Sequence, residues 1–269
     1  MNDAELYRIS NQHQTRDAVA LLDEYSSKIK WKKDNLRVLD IGCGDGSVTT
    51  ILSTYIPGSY KLLGCDISEA MVQHANREHR SERTSFTVFD VGGELPERLK
   101  GSFDHVFSFY ALHWILDQER ALTNIYELLS AGGDCFMIFL ASASVFDVYR
   151  VLARSKKWTS WIQPLDPFIS PYHDVKEPEK LVRKTLENIG FTDGNVECRD
   201  LEFTYESMDL ARKAFKSICP SKIPSDLCND FMDDYEETAK EMGMSCKING
   251  GDTDTLKIMY RLLVVHARK

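Results

Sequence analysis

Three glycines and two aspartates, set between apolar runs, carry the chemistry most open to this chain. In Val38-Leu39-Asp40-Ile41-Gly42-Cys43-Gly44-Asp45-Gly46-Ser47 an apolar strand pattern ends in an acid and a glycine-packed turn, and a helix pattern follows at once. A second strand pattern ends in Asp66, about 20 residues past the last glycine, where a carboxylate can accept both hydroxyls of a ribose. Glycine at 42 and 44 lets the backbone pass close to a bound nucleoside, because a Cβ there would collide with it. A dinucleotide site wants its third glycine at position 47, and Ser47 stands there instead. The turn need not hold a pyrophosphate, which argues against a nicotinamide oxidoreductase. Turns of this kind also open helices in α/β folds that bind nothing.

Such residues act together only if strands bring them to one edge. Residues 36–41, 61–65, 85–89, 103–109 and 135–140 read as strands of the buried, parallel type. Between them Ala18, Leu21, Leu22, Tyr25 and Ile29 repeat at helical spacing, as do Leu122, Ile125, Tyr126 and Leu129, and Ser68 stands as an N-cap before Met71, Val72 and Ala75. This βαβα rhythm predicts an α/β fold, a doubly wound, mostly parallel twisted sheet with helices on both faces. In a 3-2-1 strand order Asp40, Asp66 and Asp90 line one wall of a crevice. Ile67, Met71 and Val91 could sandwich a base there, or be ordinary core. Residues 179–189 read as a helix closing on Gly190, and 196–205 and 256–267 as long neighbouring strands. The chain reads as a single domain over 1–269. Two insertions, about 144–177 and 207–252, are expected to form a helical cap over the carboxyl edge, where open α/β sheets bind ligands. The first carries Trp158, Trp161, Pro164, Pro167 and Pro171; the second is acidic and broken by Pro220 and Pro224.

Composition narrows the partners. The net charge of −8 comes without a dense Lys/Arg tract, so a nucleic-acid substrate is not expected. The one basic cluster, Lys28, Lys30, Lys32 and Lys33, reads as the solvated end of a helix. Seven scattered cysteines without a CxxC pair and a polar start, Met1-Asn2-Asp3-Ala4-Glu5, suggest reduced thiols in the cytoplasm. The longest apolar stretch, 135–146, is too short to span a bilayer, so no membrane insertion is expected. No His/Cys/acid spacing suggests a metal.

Leu39-Asp40 followed by the tighter GxGxG spacing resembles motif I of the class I S-adenosylmethionine-dependent methyltransferases, a Rossmann-like fold. Phe103-Asp104-His105-Val106 through Ser108-Phe109-Tyr110-Ala111-Leu112-His113-Trp114 resembles that family's fourth strand and following loop, and Ala131-Gly132-Gly133-Asp134 its glycine turn before strand 5. The resemblance implies S-adenosylmethionine as cofactor, held by Asp40 (near the methionyl amino group), Gly42, Gly44, Asp66, Ile67, Met71, Asp90 (at the adenine amino group), Val91 and Phe109. A narrower likeness runs over nearly the whole chain. Leu6-Tyr7, Asn11, Gln14, Asp17-Ala18, Leu112-His113-Trp114, Phe168-Ile169-Ser170-Pro171 with His173, Ile218-Cys219-Pro220 and Ala267-Arg268-Lys269 are similar to the insect juvenile hormone acid O-methyltransferases. That family implies a small sesquiterpenoid acid as substrate, farnesoic acid or juvenile hormone acid, with its carboxylate held by Gln14 and Trp114.

The residue types suit that transfer. A carboxylic acid with a pKa of about 4–5 is ionised at neutral pH, so no general base is required. Two opposite charges annihilate as the ester forms, which a dry pocket favours, and neutral donors can hold the carboxylate without over-stabilising its charged ground state. Gln14 and Trp114 supply such donors. Tyr110, Trp158, Trp161, Tyr172 and His173 are the remaining candidates to line a substrate tunnel, the cap aromatics equally able to form the cap's own core. His113 and His173 read as hydrogen-bonded structural histidines. A methyltransferase for another small carboxylic acid or a phenol, and a non-catalytic cofactor- or terpenoid-binding paralogue, stay open, as does a homodimer.

Overall fold

The computed structural model describes residues 4–32, 34–219, 222–247 and 254–269. Met1, Asn2 and Asp3 of the polar start, Lys33 of the basic cluster, Pro220 and the 248–252 end of the second cap segment lie outside the described residues.

Strands β1 (Leu36–Ile41), β2 (Tyr60–Asp66), β3 (Thr84–Val88), β4 (Phe103–Phe109), β5 (Leu129–Ala143), β6 (Thr192–Thr204), β7 (Ser245–Lys247) and β8 (Asp254–Arg268) build one sheet. Its order is β3-β2-β1-β4-β5-β8-β6, with β7 added to β8. The pairs from β3 to β5 are parallel, and β8 runs antiparallel to β5, β6 and β7. The winding reverses at β1, which lies between β2 and β4, and this opens the crevice at the carboxyl ends.

The period-2 alternation of strand side chains divides the core between two faces. Leu36 and Val38 of β1, Phe107 of β4 and Leu262 of β8 point to one face. There they meet helices α2 (Gln12–Tyr25), α6 (Ser144–Leu152), α9 (Met208–Ser217) and α10 (Cys228–Glu241). Leu39, Ile41, Val106 and Leu263 point to the other face, covered by α5 (Gln118–Leu128) and α8 (Pro178–Ile189). Each of the last two helices buries an apolar stripe: Ala121, Leu122, Ile125 and Leu128 on α5, Val182 and Leu186 on α8. Gly190 closes α8 at φ +114°, donating its N–H to the Leu186 and Glu187 carbonyls. The remaining helices are α1 (Ala4–Ser10), α3 (Ser47–Ser53), α4 (Glu69–His79) and the short α7 (Thr159–Ile162).

One sequence expectation shifts. Ala131-Gly132-Gly133-Asp134 does not precede strand 5 but lies within β5, which starts at Leu129 where the helix pattern seemed to continue. Gly132 at φ +73° and a register shift against β4 absorb the irregularity. The segment expected to be helical and broken by prolines holds two helices, α9 and α10, with Pro224 between them.

At the edge away from the crevice, buried Asp134 of β5 is paired with His105 Nδ1 of β4 and His266 Nε2 of β8, so one carboxylate ties three strands. Burial would raise this carboxyl, yet the hydrogen bonds from the two histidines bring it down to about 2. Asp134→Ala should lower the unfolding free energy by about 3 kcal/mol in denaturant titration near neutral pH. Because the folded pKa lies below the unfolded value of about 4, that difference should fade as pH falls from about 4 towards 2.

Candidate active site

The glycine turn joins β1 to α3 with Gly42, Gly44 and Gly46 at φ +73°, +54° and +86°, a conformation L side chains rarely adopt. The N–H groups of Gly42 and Cys43 donate to the Cys65 carbonyl at 2.7 and 2.9 Å, which pins the turn against the end of β2. A Cβ at Gly42 would stand 2.0 Å from the Cβ of Ala111, so the backbone after β4 lies directly on the turn. From the other side, α1 and α2 fold over it. The Tyr7 ring would be 3.4 Å from a Cβ at Gly44, and Asn11 Nδ2 donates to Ser47 Oγ at 3.2 Å.

The expected acids stand around this turn. Asp66 ends β2; its Oδ2 accepts from Gly44 N–H at 3.0 Å and its Oδ1 from Ser68 N–H at 2.8 Å. Asp40 is buried at 1% exposure, with Oδ2 accepting from Thr49 Oγ1 at 2.5 Å and Oδ1 enclosed without a partner. Burial raises its carboxyl to about 7, the Asp66 charge adding to the rise and the Thr49 hydroxyl opposing it. An ionisable oxygen sealed without a donor is costly and calls for a cationic or hydrogen-bonding ligand. Ile67 follows Asp66 and is 70% exposed, an unusual place for a large aliphatic side chain. Met71 is buried in the first turn of α4. Asp90 lies exposed two residues past β3, with Oδ1 accepting from Gly92 N–H at 2.8 Å.

Two further cofactor candidates are packed in the core. Val91 packs into the core under α5, where Asn124 Nδ2 donates to its carbonyl at 2.7 Å. Phe109 stacks on Phe107 at 6.1 Å between centroids, within the sheet core.

Beside the turn, a cavity is lined by Tyr7 of α1, His13 and Gln14 of α2, Tyr110, His113 and Trp114 after β4, and apolar side chains including Leu140, Phe146, Phe215, Ile218 and Ile258. It therefore unites Gln14 with Tyr110 and Trp114, about a hundred residues later in sequence. Tyr7 belongs to both places, since it also covers Gly44. Buried Asp17, one turn beyond Gln14 on α2, holds the arrangement. Its Oδ2 accepts from Tyr110 and from Tyr260 of β8, each at 2.5 Å, and its Oδ1 from Arg16 Nε at 2.8 Å. Tyr110 sits at φ +58°, unusual for a bulky residue and sustained here by that buried bond.

The cavity lining carries neither Lys nor Arg. Its two histidines are neutral: burial lowers His13 to about 4 and His113 to about 3, the latter aided by the nearby His13. Among the described residues, the enclosed Oε1 of Gln14 and Nδ1 of His13 have no partner. Such a site can take a polar or anionic head group on neutral donors while an apolar tail fills the remainder.

The four cap aromatics do not line this cavity. Trp158 is buried in the main core on the α2 side of the sheet, edge-on to Phe231 at 5.1 Å, with its indole N–H donating to Asp234 at 2.6 Å. Trp161 is only half-buried beside it. Tyr172 packs on Phe139 on the opposite face of the sheet and donates to Gln118 Oε1 at 3.1 Å. His173 lies against Phe146 and pairs through Nε2 with Asp147 at 2.9 Å. Of the first cap segment only its opening helix, α6, reaches the cavity, through Val145 and Phe146. Sequence reasoning missed His13, Tyr205 and Tyr260 because residues on three separate elements meet there only through the sheet order.

Among the described residues, no helix is long and apolar enough to cross a membrane and no cluster of His, Cys, Asp or Glu is placed to hold a metal. Comparison with known proteins adds the following. A family model described as a methyltransferase domain matches residues 39–135. The juvenile hormone acid O-methyltransferase of Bombyx mori is 50% identical over all of this chain and 98% of its own length. That of Drosophila melanogaster is 41% identical over all of this chain and 93% of its own. A Haemonchus contortus phosphoethanolamine N-methyltransferase 2, solved with S-adenosyl-L-methionine, superposes with a TM-score of 0.55 at 18% identity, covering 94% of this chain and 52% of that one. At that identity the likeness speaks for the fold.

Two outcomes follow from the turn. Gly42→Ala should abolish binding at the turn or unfold it locally, because the new Cβ meets Ala111 as well as an unfavourable φ; ligand titration and thermal melting report both. For Asp40, the folded protein keeps a proton that the unfolded chain has lost, so this residue's contribution to stability should fall as pH rises from about 4 to 7. Melting of the ligand-free protein should accordingly show Asp40→Asn gaining on wild type across that window, by up to about 4 kcal/mol. A constant difference would contradict the raised carboxyl.

Proposed function

The chain belongs to the family of juvenile hormone acid O-methyltransferases, and on that premise we propose that it esterifies a sesquiterpenoid acid, farnesoic acid or its epoxide juvenile hormone acid, at the carboxyl group. It is a methyltransferase of the class I fold. Its cofactor is S-adenosylmethionine, which when bound supplies a methyl group on a sulfonium centre as electrophile. The residues present suit that group. Asp66 can accept from the ribose hydroxyls, and the unpartnered oxygen of Asp40 suits the methionyl ammonium. Asp90 can receive the adenine amino group, with exposed Ile67 and buried Met71 beside the ring.

The observation that carries the substrate reading is the shared cavity of Gln14 and Trp114, free of cationic side chains and walled by Phe146, Phe215, Ile218 and Ile258. The acid arrives ionised, so the chain has no proton to remove. Its tasks are to desolvate the carboxylate, hold it on the Gln14 amide and the Trp114 indole N–H, and aim one oxygen at the turn. An Arg or Lys there would favour the charged ground state over the neutralising transition state. The aliphatic and aromatic walls suit an isoprenoid tail and exclude water. We place the enzyme in the cytosol, for which its seven free cysteines are suited.

Transfer from labelled S-adenosylmethionine should be rapid to farnesoic acid and slow to a saturated fatty acid of equal length. Cofactor binding with transfer to neither acid would overturn the reading. Trp114→Phe should lower kcat/KM about 10- to 100-fold with cofactor affinity unchanged; normal turnover would remove Trp114 from the carboxylate.

A further inference from the structure

We propose that His113 is a third neutral donor to the substrate carboxylate, presenting its Nε2–H beside the Trp114 indole. The proposal rests on the carboxylate reading above and adds a residue to it. The His113 ring lines the same cavity as Gln14 and Trp114, and its centroid lies 4.7 Å from that of Trp114. The Leu140 backbone N–H donates to its Nδ1 at 3.4 Å. A ring nitrogen that accepts carries no proton, so the neutral ring holds its proton on Nε2. Among the described residues Nε2 has no partner. Unlike His13 Nδ1 and Gln14 Oε1, it is not sealed off, so it opens onto the cavity.

The same contact keeps the ring in its useful form. A second proton would have to sit on Nδ1, facing the Leu140 N–H, donor against donor. Burial acts in the same direction. His113 is therefore a fixed donor, not a base, and it cannot become an imidazolium that would hold the carboxylate in its charged state. A carboxylate offers about four acceptor positions on two oxygens. Donors from Gln14, Trp114 and His113 would fill three of these, leaving one lone pair free to be alkylated.

Two substitutions separate this role from a structural one. In His113→Gln the amide nitrogen reaches the position of Nε2 but nothing accepts from Leu140. In His113→Asn the amide oxygen takes the place of Nδ1 and accepts from Leu140, but no donor reaches the cavity. A donor role predicts that His113→Gln keeps kcat/KM for farnesoic acid within about 10-fold of wild type. It predicts that His113→Asn loses about 100-fold, mostly in KM, with S-adenosylhomocysteine affinity unchanged. The reverse order, or two variants that both match wild type, overturns the proposal. Should either variant fold poorly, wild-type protein carrying 15N-histidine gives the answer. Adding farnesoic acid to its S-adenosylhomocysteine complex should move the His113 Nε2 signal, and an unmoved signal refutes the contact. If wild type esterifies no acid, the function reading itself fails; if Trp114→Phe is impaired while both His113 variants are normal, only this inference does.

Discussion

The contact between Gly42 and Ala111 is the constraint on which the site depends. One glycine without a Cβ allows the turn after β1 and the backbone after β4 to touch. The reversal of winding puts β1 and β4 side by side, but only this close approach makes their loops one structure. From Ala111 the chain leads within three residues to Trp114, and within two to His113. The glycine turn and the loop after β4 are thus packed as a unit, so placement at one is felt at the other.

A second constraint brings in α2. Asp17 ties that helix to Tyr110 and to Tyr260, drawing Gln14 towards Trp114. The bond also holds Tyr110 in a backbone conformation that costs free energy elsewhere. Asn11 on Ser47 and Tyr7 over Gly44 extend the same helix pair across the glycine turn. The amino-terminal helices therefore wall the cavity together with α6 and α9.

The charge arrangement divides the site. Around the glycine turn stand carboxylates, Asp40 with an oxygen unsatisfied among the described residues and Asp66 on the turn itself. The neighbouring cavity is lined by no Lys or Arg among the described residues, and both its histidines are held neutral by burial. A reaction that joins an anion to a cationic methyl donor gains most where neither charge is over-stabilised before they meet.

Local patterns sufficed for the strands and for the glycine turn with its flanking acids. Asp40, the glycines and Asp66 fall within a short stretch, and the apolar strand runs that carry them announce themselves by composition. Hence the parallel strands, and the carboxylates at their ends, were legible from local pattern, whereas their order in the sheet was not. The boundary at Leu129 was not, because one apolar residue fits a helix end and a buried strand equally well. The substrate side was legible only as a family likeness at Gln14 and Trp114. Nothing local distinguishes an aromatic that lines a cavity from one that fills a core. Trp158 and Tyr172 found partners in Asp234 and Gln118, whereas Tyr205 and Tyr260 reached the cavity from adjacent antiparallel strands. The sequence by itself determined which elements form and which carboxylates end the strands, since these follow from short-range periodicity. Tertiary structure alone decided which aromatics, histidines and buried acids share a wall, because that depends on strand order, helix docking and which polar atoms have already been satisfied.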